Sequence, residues 1–244
     1  MWQKAPDLLY LNFNEVHLWL VDCQQYFSKI NNLFSILSPE EQEKADRFKF
    51  AIHRQRFIIN RANLKIILSK YLQLKPTEIK FKYGLKGKPS LEDQLNYLNL
   101  KFNISHSENL AIYGISQNLI GVDLEKINQQ VSCVELAERF FCPSEFKTIS
   151  QLVYPQNYQG FYLAWTSKEA YLKATGEGLS GGLDSVELAL NIAENKAKII
   201  HIKNIDNYQN NWQLFNFKID DNFLFSVAIA NYDTLKFQFY EGLT

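Results

Sequence analysis

Apolar and polar residues change period several times along this chain of 244 residues, and each change marks an element. Residues 16–21 form a short apolar run of strand length. Ser38-Pro39-Glu40-Glu41 has the form of a capping box, with Ser38 as N-cap, Pro39 at the first helical position and Glu41 reaching back. It predicts a short helix through Phe48. Phe57, Arg61, Leu64, Leu68 and Tyr71 then recur at helical spacing, which predicts a longer helix over 53–72, ended by Pro76. Residues 79–83 read as a strand, 84–89 as a loop and 100–104 as another strand. The runs 110–115 and 119–127 flank Ser116-Gln117-Asn118, a pattern that predicts a hairpin. A helix over 131–141 follows, then an irregular stretch with Pro143 and Pro155. The helix over 161–175 stops at Gly176 and Gly178, as glycine-terminated helices do. Beyond it, strands are predicted over 186–190, 197–203, 212–219, 223–230 and 235–240.

Each half of the chain thus holds a helix of several turns and a few strands, mostly joined as hairpins. That is an α+β pattern, not a parallel doubly wound sheet. No short repeat, Ser/Gly-rich run or charge block marks a flexible linker, so the expectation is two tightly packed parts, 1–117 and 118–244. Hydrophobic residues make up 46% and aromatics 14%, enough for a substantial core. The 26 basic and 26 acidic residues cancel, leaving no global field to attract a nucleic acid or an anionic membrane. Any polyanionic ligand must be held by a local cluster. Cys23, Cys133 and Cys142 form no C-x-x-C pair, which fits a reducing compartment better than a disulfide framework or a zinc site. The N-terminus lacks the basic start and apolar run of a signal peptide, and no apolar stretch approaches the roughly 20 residues of a membrane span. A cytoplasmic protein is the expectation.

Chemistry concentrates in a few segments. In Gly121-Val122-Asp123-Leu124-Glu125 the period of two gives a strand with one apolar and one acidic face, so Asp123 and Glu125 point the same way. Trp165, Glu169 and Lys173 are four residues apart and stack along one side of a helix. A strand with two carboxylates and a helix with a third make a site for a hard cation, although each piece alone is the usual pattern of a solvated face. Trp165 reads as core packing. Phe102-Asn103-Ile104-Ser105-His106-Ser107 ends a strand with groups that bind phosphate oxygens. A catalytic Ser-His dyad there lacks a G-x-S-x-G elbow. Gly87-Lys88-Pro89 puts a lysine in a tight turn, and Lys44, Arg47, Arg54, Arg56 and Arg61 line the first helical region. Neither G-x-x-x-x-G-K-[ST] nor G-x-G-x-x-G is present.

These segments occur in a particular order: Ser38-Pro39-Glu40 and the basic helices, Gly87-Lys88-Pro89, Phe102 to Ser107, Gly121-Val122-Asp123-x-Glu125, and Trp165-Thr166-x-Lys168-Glu169-Ala170-x-x-Lys173-x-x-Gly176-x-Gly178-Leu179. In this the chain resembles the Sfp-type 4′-phosphopantetheinyl transferases, the two-lobed members of a superfamily that also holds half-sized trimeric holo-acyl-carrier-protein synthases. The resemblance implies two similar α+β lobes related by a pseudo-twofold axis, each a small antiparallel sheet packed with a long helix. The active site is then expected in the cleft between them, with the coenzyme A side in 1–117 and the metal and catalytic side in 118–244.

It also implies a reaction: transfer of the phosphopantetheine arm of coenzyme A to a serine of an apo acyl or peptidyl carrier protein, releasing adenosine 3′,5′-bisphosphate. Asp123, Glu125 and Glu169 correspond to magnesium ligands, with Mn²⁺ as the alternative ion. Glu169 and Lys173 correspond to the catalytic pair, base and leaving-group lysine. Ser105, His106, Lys88, Arg56, Lys44 and Lys173 correspond to coenzyme A contacts. Glu41 stands at a position often basic in the family. Phe140, Phe141, Phe146, Lys147 and Tyr158 are proposed as a carrier-docking surface, and a monomer is expected. Two other readings remain: a carrier-binding homologue without catalysis, and a different magnesium-dependent phosphoryl-transfer enzyme.

Overall fold

The computed structural model describes residues 2–6, 8–178, 182–203, 212–230 and 234–242, which leaves Leu179 outside it. In chain order its elements are β1 (Glu15–Asp22), α1 (Ile30–Phe34), α2 (Pro39–Asp46), α3 (Ala51–Leu72), β2 (Phe81–Tyr83), β3 (Pro89–Leu91), β4 (Lys101–Ser107), β5 (Leu110–Ser116), β6 (Ile120–Lys126), α4 (Cys133–Phe140), α5 (Pro143–Ser150), α6 (Gln156–Thr175), β7 (Val186–Asn191), β8 (Lys196–Ile202), β9 (Gln213–Lys218), β10 (Phe223–Ile229) and β11 (Lys236–Glu241). The fold is α+β. Contacts divide it into two compact units. Unit 1 comprises Met1–Lys101, Glu108–Gln117 and Leu235–Thr244, and unit 2 comprises Phe102–Ser107 and Asn118–Thr234. Neither unit is one continuous piece of chain.

In unit 1, β1 pairs antiparallel with β5 and parallel with β11, so the last strand returns to the first. That parallel pair departs from the all-antiparallel expectation. The capping box forms as its pattern requires: Glu41 N donates to Ser38 Oγ at 3.3 Å, and Ser38 N donates to Glu41 Oε2 at 2.9 Å. Glu41 also holds the buried ammonium of Lys65 at 2.8 Å, so this acid is committed to joining α2 to α3. The 22-residue α3 ends at Gln73, whose φ of 54° is left-handed. Its apolar side buries Ile58, Ile59, Leu64, Ile67 and Leu68. At its end, the Trp19 indole N–H donates to the Tyr71 hydroxyl at 3.0 Å, and the same hydroxyl shares a hydrogen bond of 2.8 Å with His17 Nδ1.

In unit 2, β6, β10 and β9 form an antiparallel sheet, and β7 and β8 form a hairpin. The 20-residue α6 packs on β6 and β10, and ends at Gly176, whose φ of 80° only glycine adopts freely. Phe161, Leu163, Ala170, Leu172, Val186, Leu188 and Leu224 belong to the core on this helix. Two expectations fail locally. The turn 116–118 closes no hairpin, because β5 pairs with β1 while β6 pairs with β10. The stretch around Pro143 is helical: the proline sits at the first turn of α5, and Glu145 reaches back to Cys142 N at 2.9 Å. Phe141 is buried, stacked on Phe161 at 5.4 Å, and so cannot serve a docking surface. Among the described residues, no helix is long and apolar enough to cross a membrane.

His17 gives unit 1 an acid sensitivity. Burial is the main cause that lowers its pKa from 6.5 to about 4, against the opposing pull of Glu15. The unfolded chain therefore binds the extra proton first. Stability is full above pH 6.5 and falls as pH drops towards 4, by about 3 kcal/mol in all, with no further loss from this group below 4. Urea unfolding of the wild type and of His17→Phe at pH 7 and pH 4.5 is expected to show a smaller acid-induced loss in the variant.

Candidate active site

The site begins with a close approach. A Cβ on Gly121 would lie 1.9 Å from Ala170 O, 2.5 Å from Ala174 N and 2.9 Å from Ala174 Cβ. Only glycine lets β6 touch the backbone of α6, and the facing helix residues are both alanine. Since side chains alternate along a strand, Gly121, Asp123 and Glu125 share the face that meets the helix. The same helix presents Glu169 and Lys173, one turn apart.

At the centre, Lys173 Nζ donates to Asp123 Oδ1 at 2.5 Å and to Ser105 Oγ at 3.0 Å. Ser105 donates to the same Asp123 oxygen at 2.9 Å. The other oxygen, Asp123 Oδ2, is buried with no hydrogen-bond partner. Burial, and then the neighbouring Asp123 carboxylate, push the Glu125 pKa up to about 7, while a 3.1 Å hydrogen bond from Ser107 pulls the other way. Glu169 is raised for the same two reasons, with Lys173 opposing. The site therefore gathers three carboxylates around one ammonium. Among the described residues, no three of them close to the spacing of a metal cage, and Lys173 holds one oxygen of Asp123. The donor set nevertheless fits a hard divalent cation: every donor is a carboxylate oxygen, and one is buried without a proton to accept.

β4 trims the outer edge of β6 with side chains. Val122 N donates to Asn103 Oδ1 at 3.0 Å and Lys126 N to Ser107 Oγ at 3.1 Å, while Ser105 and Ser107 donate to Asp123 and Glu125. Asn103 and Ser107 are neighbours of the acidic strand that motif reading left unassigned. The signal was present in the sequence, because two pairs of period two, 105/107 and 123/125, lie 18 residues apart. His106 is exposed on β4.

The other anticipated contacts belong to unit 1. Lys88 is half-buried, and burial, then Lys101, lower its pKa to about 8. Arg56 on α3 donates to Asn109 Oδ1 at 2.9 Å and reaches Glu108 at 3.4 Å. Lys44 on α2 is exposed, with its ammonium 5.5 Å from the Phe57 ring centre.

Residues 119–228 match the model of the 4′-phosphopantetheinyl transferase superfamily, and residues 24–117 match that of the 4′-phosphopantetheinyl transferase N-terminal region. The 4′-phosphopantetheinyl transferase HetI of Nostoc sp. is 38% identical over 232 residues, 95% of this chain and 94% of that one. The 4′-phosphopantetheinyl transferase Sfp of Bacillus subtilis is 33% identical over 156 residues, 64% of this chain and 67% of that one. The chain belongs to the Sfp-type 4′-phosphopantetheinyl transferases.

Gly121→Ala tests the close approach. Separating β6 from α6 is expected to lower the unfolding free energy by about 3 kcal/mol. In the protein that still folds, transfer is expected to fall roughly 100-fold, since displacement by about 1 Å suffices for that. Denaturant titration and carrier modification, measured on the same sample, check both.

Proposed function

We propose that the chain moves the 4′-phosphopantetheine arm of coenzyme A onto a serine of an apo acyl or peptidyl carrier protein, as a cytoplasmic monomer, with Asp123, Glu125 and Glu169 holding Mg²⁺ (or Mn²⁺). The observation that carries the metal reading is the unpartnered, buried Asp123 Oδ2 beside two carboxylates of raised pKa. Two carboxylates about 4 Å apart repel by roughly 4 kcal/mol at an effective dielectric of 20, and a single lysine cannot offset three. Magnesium seeks oxygen donors and, when bound, neutralises charge across a pyrophosphate.

The chain's own groups then divide the work. Lys173, whose side chain is 29% exposed, exchanges Asp123 for an oxygen of the pyrophosphate when coenzyme A arrives. Glu169 takes the proton of the carrier serine as its oxygen attacks the phosphorus that bears the pantetheine arm. Such general-base help is typically worth about 10²–10⁴ in rate. The bond from that phosphorus to the bridging oxygen breaks, adenosine 3′,5′-bisphosphate leaves, and Lys173 neutralises the charge on the departing oxygen. Ser105, His106, Lys88, Arg56 and Lys44 bind phosphate oxygens of coenzyme A.

Mass spectrometry of an apo carrier incubated with the protein, coenzyme A and Mg²⁺ tests the reaction. The carrier should gain one phosphopantetheine; unchanged mass across acyl and peptidyl carriers would overturn the proposal. Asp123→Ala is expected to abolish transfer while keeping a cooperative melting transition, and near-normal activity would remove the metal assignment. Because Glu125 must lose its proton to bind a cation, Mn²⁺ affinity should be level above pH 7 and fall up to tenfold per pH unit below it. Titration calorimetry between pH 5.5 and 8.5 measures this.

A further inference from the structure

A row of polar side chains crosses the sheet of unit 2, and the reaction leaves most of it unused. Asn216 on β9, Ser226 on β10 and Asp123 on β6 stand opposite one another in register, so all three share the face under α6. On the same face, Gly121 stands opposite Ala228, while Leu224 is flanked by Glu125 and Lys218. Asn216 Nδ2 donates to Ser226 Oγ and to Ser167 Oγ, both at 2.8 Å, and its Oδ1 accepts Ala197 N at 2.8 Å. Thr166 gives its own proton to Tyr162 O at 2.8 Å, so the 2.7 Å contact between Ser226 and Thr166 uses the proton of Ser226. The bonds therefore run one way, from the amide through Ser226 and Thr166 to a helix carbonyl. Thr166, Ser167 and Ser226 are all buried.

An apolar helix–sheet contact tolerates small slides, because its attraction has little direction. A buried directional chain does not, since each broken link strands a polar group away from water. Gly121 sets how near α6 comes to the sheet, and the Asn216 chain sets where along the sheet it stops. Glu169 and Lys173 follow Thr166 and Ser167 on the same helix, and Asp123 ends the same row. Resting on the function proposed above, we infer that Asn216 is a positioning residue: it fixes α6 so that Glu169 and Lys173 meet Asp123 in the reactive geometry.

The test uses the full chain with Asn216→Ala and Asn216→Asp. Aspartate keeps the shape but cannot donate, so Ser226 must turn to it and Thr166 loses its donor. Both variants are expected to melt cooperatively, with kcat down at least tenfold, KM for coenzyme A changed less than threefold, and Mn²⁺ affinity, read by electron paramagnetic resonance, weakened severalfold. In a Lys173→Ala background, Asn216→Ala should cost much less kcat than in the wild type, a coupling that a merely structural role would not produce. Wild-type kcat and Mn²⁺ affinity in the folded variants, or full additivity with Lys173→Ala, would overturn the inference. If Asn216→Ala does not fold, Ser226→Ala removes the next link at smaller volume, and wild-type kcat there would overturn it equally. A wild type that transfers nothing sinks the functional reading instead, and Mn²⁺ affinity alone then decides the role of Asn216.

Discussion

The absence of a side chain at Gly121 is the constraint on which unit 2 depends. With 1.9 Å between a hypothetical Cβ and the Ala170 carbonyl, no other residue fits without moving a strand or a helix. The two elements that meet there carry Asp123 and Glu125 on one side and Glu169 and Lys173 on the other. A longer side chain would leave each element intact and still separate the two halves of the site. The meeting of these four charged groups is thus set by backbone-to-backbone distance.

Two adjacent residues of α6 show how differently charge is handled on either side of that contact. Lys168 and Glu145 are fully buried and 2.8 Å apart. Lys168 also donates to the carbonyls of Leu183 and Val186, while Glu145 accepts Cys142 N and Leu188 N. Every proton of that ammonium has a partner, as burial of a charge demands. Glu169, the next residue, turns to the other side, where three carboxylates share one lysine. One cluster is balanced and holds α5 and β7 onto the helix. The other is unbalanced, and its excess charge is what a cation and a phosphate would satisfy.

Much of this was legible in residue spacing. Period two in 120–125 put both acids on one face, and spacing by four put Glu169 and Lys173 on one side of α6. The capping box at Ser38 formed as written. What failed were choices between partners. Ser116-Gln117-Asn118 has hairpin chemistry, but a turn does not say which strands its flanks will pair with, and here they pair with β1 and β10. Pro143 looked like a breaker because its role at a first helical turn needs Glu145 to cap back, which only the folded geometry reveals. Asn216 and Ser226 were invisible for another reason: each is a lone polar residue in a largely apolar strand, and spacing along one strand does not show that the two stand opposite each other under α6.

β6 shows why a site of this kind can tolerate its own repulsion. One edge is held by the β10 ladder, one face by the bare contact at Gly121, and the other edge by Asn103, Ser105 and Ser107. Those side chains do what a neighbouring strand would do for the backbone, with one difference. A serine that caps a carboxylate gives it a single proton and leaves its remaining lone pairs open, as Asp123 Oδ2 is. The strand is therefore fixed from three directions while its charges stay incompletely paired. Because the fold holds the carboxylates against their repulsion beforehand, little reorganisation would remain if charge developed on a ligand held there, and that is where preorganised groups contribute most.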